Sequence, residues 1–429
     1  MTKWIVAGAL VVVAGLAAPW GVGALTEQQW HQAEAQLEQQ PMVTMETLHY
    51  ERGYRGADVA GTLSFDNPGS GETLKLVYQG EISHGLWSSE LTLRFGSADE
   101  EWVQVLFPEQ RPTLVAEFKP WGAADLEFTI PAFDALDEAA GESITSNELV
   151  VTGSVFDQGN GFDLALTWPG LVAAGPNATL TVNDVTMSQT MSRLKGDVWT
   201  GDAALRVDRF TARLEGDPEV SAQGLAINSS TRAGAEGERF TGSTALTLNQ
   251  VRSEGEAAGP FQVDFELRDF QVDAWNRLIG AFTRLQMVAA APEAGLSRQE
   301  SMAQQMQAME NLSAGLKSLA AAGMTFGFPA VKLVFPEGEV TGELMLSHPE
   351  LPADEADQLG LVMQRLTGAM AWRLPVALVE SEPALMAQLA PLVEQGLVVR
   401  EGDAYRVDAR LKDLELDVNG RVIPLPPMI

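Results

Sequence analysis

The sequence predicts an α+β protein that is predominantly β: large twisted antiparallel sheet or sheets, with a helical hairpin and further C-terminal helices, behind an N-terminal transmembrane helix. Three patterns carry this expectation. Apolar and polar residues alternate through much of 42–272, as half-buried antiparallel strands require. Across 273–323 the apolar residues recur every three to four positions, the period of an amphipathic helix. Near the start, Trp4 to Leu25 runs without a charge.

Residues 1–3 form a tip that should stay in the cytoplasm, because Lys3 and the α-amino group precede the apolar run and Glu27 follows it. At 1.5 Å per residue, residues 4–25 reach about 33 Å, enough to cross a bilayer as a signal-anchor. Trp4 and Trp20 sit near its ends, where indoles favour the headgroup level. The alternative is a cleaved signal peptide with its cut after the small residues Val22-Gly23-Ala24. Both readings export the chain from about residue 26. Residues 26–41 read as a stalk helix, with Trp30, Ala33 and Leu37 at helical spacing and Pro41 at the end.

Residues 42–272 form the β-rich periplasmic region. The alternation runs through Leu63 and Phe65, then Leu74 to Tyr78, then Leu91 to Phe95. It resumes at Leu149 to Val155 and Phe162 to Trp168, which Asp157-Gln158-Gly159-Asn160-Gly161 joins with turn chemistry. Further strands fall at Leu180–Val182, Leu205–Val207, Leu225–Ile227, Leu246–Leu248 and Phe261–Leu267. A basic residue, Gly, apolar, spacer, small pattern recurs at Arg52–Gly56 and His84–Ser88, read as a repeated turn-and-strand unit.

Residues 273–323 form the helical hairpin. One helix carries Trp275, Leu278, Ile279, Phe282 and Leu285. The other starts at the capping box Ser297-Arg298-Gln299-Glu300 and carries Met302, Met306, Met309, Leu312, Leu316 and Leu319, with a loop near Pro292 between them. The mixed region 324–429 has strands at 324–335 and 340–346, a helix near 354–366, a strand through Trp372, Leu374, Val376 and Leu378, and a helix from about 382 to 395 that Gly396 stops. Strands at Tyr405–Leu411 and Leu414–Val418, an Asn419-Gly420 turn, and a proline-containing extended strap at 423–429 close the chain.

Composition excludes whole classes of function. Among 429 residues, Asp and Glu number 58 against 28 Lys and Arg, a formal charge of −30 that repels nucleic acid. Charged residues are 20% and apolar residues 45%, so the acidity belongs to a folded surface. Seven Lys against twenty-one Arg suit a salt-tolerant, GC-rich source. With no Cys there is no thiol nucleophile, disulfide, Fe–S cluster, Cys-based zinc site or lipoprotein modification, so membrane attachment rests on residues 4–25.

The segment Leu48-His49-Tyr50-Glu51-Arg52-Gly53-Tyr54-Arg55-Gly56-Ala57 resembles the YdgA-like family of Gram-negative envelope proteins, which carry a Tyr-x-Arg-Gly-aromatic-x-small element shortly after an N-terminal membrane segment. Ser83-His84-Gly85 resembles the family's His-Gly-Pro element, with Leu86 where Pro is usual. Gly323–Pro352, Leu366–Ser381 and Leu414–Gly420 resemble its strand-rich C-terminal part and closing Asn-Gly turn. The resemblance implies envelope placement and a β-rich periplasmic body, and it supplies no catalytic residue, metal ligand or cofactor.

Each chemical constellation has a plainer structural reading. No Gly-x-Ser-x-Gly elbow occurs, and no phosphate-cradling glycine motif. His31, His49, His84 and His348 are scattered and read as surface or turn residues. Asp157 to Asp163 lacks a calcium-loop pattern and reads as a hairpin turn. Arg52 is able to grip an anionic headgroup, but a structural ion pair is the preferred reading. Glu337 and Glu339 read as strand residues, and Asp354, Glu355 and Asp357 as a helix start that complements the dipole. Asn177-Ala178-Thr179 is a glycosylation sequon by pattern only.

These readings assign no catalytic, cofactor-binding or metal residue. A long one-sided apolar sheet needs a cover. The hairpin helices, with the Met302–Leu319 stripe in the core, are the preferred cover; the alternative makes the Met stripe the lining of a groove for acyl chains. The functional expectation is a non-enzymatic, inner-membrane-anchored envelope protein with lipid or another hydrophobic component on its apolar sheet face. The alternative is a scaffold recruiting envelope proteins through strand edges or helices.

Overall fold

The structure, a computed structural model, describes residues 43–425 except 53–55, 67–72, 85–87, 98–105, 120, 291–297, 353–354 and 356–358. The tip 1–3, the anchor 4–25 and the stalk 26–41 therefore lie outside the described residues, as do the hairpin loop at Pro292 and the cap residue Ser297. The turn residues of both copies of the repeated unit, Gly53–Arg55 and Gly85–Trp87, lie outside them too. Among the described residues no helix is long and apolar enough to cross a membrane.

The chain is predominantly β and antiparallel, as its alternation predicts. Its contacts divide it into two compact units. The first holds the described residues up to Ser192 with Leu205–Asp217; the second holds Arg193–Ala204 and the described residues from Pro218 onward. The predicted β-rich region 42–272 is thus shared between two units.

In the first unit, β1 (Val43–Arg52), β2 (Gly56–Asp66), β3 (Thr73–His84), β4 (Ser89–Ser97), β5 (Thr113–Phe118) and β6 (Ala124–Ile130) form an antiparallel meander. β7 (Phe133–Asp137) and β8 (Glu142–Ser146) make a hairpin. β9 (Leu149–Phe156) pairs with β6, and β10 (Gly161–Ala174) pairs with β9, with β8 and with β11 (Ala178–Lys195). Strands β5 to β8 are not among the predicted ones, although β5 and β6 show the alternation: Leu114, Ala116 and Phe118, then Leu126, Phe128 and Ile130, all point into the core. That core is closed. Tyr78, Phe118 and Phe128 are each 1% exposed, and Phe95 meets Phe128 edge to face at 5.9 Å.

β12 (Val198–Leu214) contributes to both units. The second unit continues with β13 (Val220–Ala233), β14 (Arg239–Ser253), β15 (Glu256–Ala258), β16 (Phe261–Gln271), α1 (Val272–Ala290), α2 (Arg298–Ala321), β17 (Met324–Phe335), β18 (Gly338–His348), α3 (Leu359–Gln364) and β19 (Thr367–Pro375). It ends with α4 (Val376–Ser381), α5 (Pro383–Glu394), β20 (Val399–Glu401), β21 (Ala404–Lys412), β22 (Glu415–Val418) and β23 (Arg421–Pro424). The ladder order is β13-β14-β16-β17-β18-β19-β21-β22-β23, antiparallel throughout, with β15 beside β14 and β20 beside β21.

Four expectations are corrected here. The strand through Trp372 stops at Pro375, and Val376 and Leu378 are helical; Val376 and Val379 are buried at a spacing of three, a helical period that a short apolar run also permits. The tail is not simply a strap, because Arg421–Pro424 pairs with β22, and proline is tolerated at the end of this edge strand. Glu337 sits in the turn between β17 and β18 rather than on a strand. The Met stripe is not core: Met302, Met306 and Met309 are 59%, 72% and 56% exposed.

The last correction follows from how α2 packs. Its buried positions are Ala308, Gly315 and Leu319, with Leu312 half-buried, a four-three-four seam about a quarter-turn away from the methionines. Gly315 lets the helices approach closely, since a Cβ there would stand 3.1 Å from Cα of Leu278 on α1. Leu319, Trp275 and Leu278 pack with Phe240 and Phe270, and Trp275 meets both rings at 5.6 Å. Asn276 pins the start of α1, accepting from the Asp197 N–H at 2.9 Å and donating to the Lys195 carbonyl at 3.1 Å.

Candidate functional site

Directly paired residues of an antiparallel ladder point to the same face. In the second unit this rule assembles a continuous apolar surface. One row runs Ile227, Leu246, Val263, Val331, Gly342, Trp372 and Val407 across seven strands. Beside it run Leu225, Leu248, Phe261, Leu333 and Val340. On the other side Phe265 stacks near Phe328, with ring centroids 5.3 Å apart, and Phe328 pairs with Leu344 and Leu344 with Met370.

A bulge keeps this surface apolar. In β17, Phe326 and Phe328 alternate with one parity, and Val331, Leu333 and Phe335 with the other, so a regular strand would turn one group to the opposite face. The register shifts between Phe328 and Val331, where Pro329 and Ala330 absorb one extra residue. Proline suits this position because a bulge relieves the ladder of one donor. Trp372 fills the space over Gly342, and any Cβ on that glycine would come within 2.5 Å of the indole.

Cover is present only at the margins. Leu267 and Phe326 pack with the α1–α2 cluster, and Leu374 and Val407 pack with Val376 and Val379 of α4 and with Leu385 and Leu389 of α5. Between them Ile227, Leu246, Val263, Leu333, Leu344 and Met370 are only half-buried, and Phe328 is exposed. The rows of the first unit are closed over by contrast. Seven strands at about 4.8 Å span roughly 29 Å, against roughly 15 Å for one acyl leaflet of a bilayer core.

The opposite face is polar. Lys332, Thr341, Glu343, Arg373, Arg406 and Asp408 line an open groove of about 570 Å³. Its charges are matched: Lys332 to Glu339 at 2.9 Å, Arg373 to Asp403 at 2.9 Å, and Arg406 to Glu401 and Asp408. The hydrogen bond from Glu401, then that from Asp408, holds the Arg406 guanidinium above its ordinary pKa.

The structure brings none of the sequence's polar candidates together. His49 lies on β1 beside Glu51 at 3.5 Å; His31 lies outside the described residues and His84 ends β3. His348, read as a surface or turn residue, is instead 3% exposed, with Nδ1 2.7 Å from the Pro349 carbonyl oxygen and Nε2 2.7 Å from that of Val362. Asp157 and Gln158 adopt positive φ in a tight turn, while Asp163 sits on β10 opposite Ser154. Arg52 ends β1. Asn177 lies in the turn after β10, its carbonyl accepting from the Glu215 N–H at 2.8 Å. Glu355 stands 3.8 Å from Arg365, and Asp354 and Asp357 lie outside the described residues. Among the described residues no group of three or more His, Asp or Glu side chains is placed to hold a metal ion.

The apolar rows were legible strand by strand, as at Phe261 to Leu267. Their alignment was not, because it depends on partner choice and on the β17 bulge.

Comparison with curated proteins and with solved structures yields no match. The model of a family of bacterial proteins of unknown function, DUF945, matches residues 1–426, in keeping with the resemblance to an uncharacterised bacterial family, and the chain belongs to that family.

Proposed function

We propose that the protein is a non-enzymatic component of the bacterial cell envelope, held in the inner membrane by residues 4–25 with its body in the periplasm, and that it binds lipid or another hydrophobic envelope component on the apolar face of the second unit. The observation that carries this reading is the row from Ile227 to Val407, apolar across seven strands yet covered only at its margins. Each methylene moved from water onto such a surface contributes about 0.8 kcal/mol. The membrane and periplasmic part rests on the uncharged run Trp4 to Leu25. The non-enzymatic part rests on the lack of nucleophile and phosphate-cradle motifs in the sequence.

A second reading, a scaffold for envelope proteins, draws on the exposed methionines of α2, which suit docking of a partner helix. Native mass spectrometry on the full chain separates the two. The lipid reading expects a stoichiometric lipid on the wild type and its loss in Phe328→Glu, a substitution at an exposed position of the apolar face. An equal lipid load in both proteins, or none in the wild type, overturns it.

A further inference from the structure

We propose that a cavity beside the helical hairpin binds a phosphate group, a site independent of the apolar face. The cavity, of about 350 Å³, is lined by Arg239, Arg277, Lys317, Ser318 and Glu350 among others. In a chain of formal charge −30, this lining sets three cations against one carboxylate.

The cations divide into a wall and a grip. Arg239 is built into the wall. It donates to the carbonyls of Asp269 at 2.7 Å and Ala322 at 2.8 Å, and to the Glu350 carboxylate at 2.7 Å, with the Asp269 carboxylate 3.4 Å away. Glu350 is thereby committed to Arg239.

Arg277 and Lys317 come from different helices of the hairpin. Arg277 Nη2 donates to Ser318 Oγ at 2.8 Å, which holds the guanidinium against the corner of α2 that carries Lys317. A guanidinium has five N–H donors, and this bond uses one. Such a set, a planar fork from α1 and an ammonium and a hydroxyl from α2, exceeds what the two oxygens of a carboxylate engage. It matches the three or four oxygens of a phosphate. The same chemistry is offered by a lipid headgroup and by free phosphate.

The test uses full-length protein in a non-ionic detergent, titrated with inorganic phosphate and with dihexanoyl phosphatidylglycerol and followed by ³¹P NMR. Arg277→Gln and Lys317→Gln keep good helix formers in place. Saturable binding weakened roughly tenfold to a hundredfold in each variant, and unchanged in Arg268→Gln outside the cavity, supports the site. Tighter binding of the lipid by about tenfold or more assigns it to a headgroup, and comparable binding assigns it to free phosphate. No saturable binding of either probe, or binding equal to wild type in both variants, overturns it. A second measurement needs neither charge variant: the chain has no Cys, so Ala314→Cys, in the cavity lining, places a single thiol there. Phosphate should slow its alkylation, and an unchanged rate overturns the site. Phe328→Glu leaves phosphate binding intact, so failure here and failure of the lipid reading are distinguishable.

Discussion

Trp372 and Gly342 face each other across β18 and β19, with the indole occupying the volume in which a side chain at 342 would stand. The pair closes a gap that a larger residue at 342 would fill, in the middle of the longest apolar row. Gly342→Ala should therefore displace the indole and destabilise the protein by about 1–3 kcal/mol, the usual range for overpacking. Urea denaturation together with a shift in tryptophan emission checks it. A variant as stable as wild type with unchanged emission would mean the ring does not occupy that space.

His348 ties the end of β18 to α3 through the Val362 carbonyl. Removing the ring leaves that buried acceptor without its partner, at a cost of about 1–3 kcal/mol, and opens a void besides. His348→Ala is expected to lower the urea midpoint accordingly. An effect within about 0.5 kcal/mol, typical of surface positions, would restore the surface reading of this histidine.

The two faces of α2 make opposite predictions. Met306→Gln should leave stability within about 0.5 kcal/mol of wild type, because the side chain is largely in water. Leu319→Ala, at a 3% exposed position, should cost about 2–5 kcal/mol. Thermal melts of the two variants side by side decide it, and the reverse order would return the methionines to the core.

The turn that receives α1 is similarly specific. Gly196 has φ 60°, and a Cβ there would lie 2.5 Å from Nδ2 of Asn276. Gly196→Ala is expected to cost more than Asn276→Ala, since it adds a clash and backbone strain to the loss of the same hydrogen bonds. Equal costs in a denaturation series would show that the turn relaxes freely.

Much of this protein was determined by local pattern. Alternation at Phe261 to Leu267 yields a strand whatever its neighbours, and the Asn419-Gly420 turn follows from residues that tolerate positive φ, as both adopt here. The helices at 272–290 and 298–321 follow from a 3.6-residue period in the same way. Only the tertiary structure decided which side of α2 is buried. Composition favours Met302, Met306 and Met309 for the inside, but close packing selects the small residues Ala308 and Gly315, because helix approach is limited by side-chain volume rather than by hydropathy. The apolar face was decided at the same level: its rows exist only through the pairing of strands far apart in the chain, and one bulge at Pro329 sets whether half of β17 joins them. A period read along one strand carries no information about the register of the next.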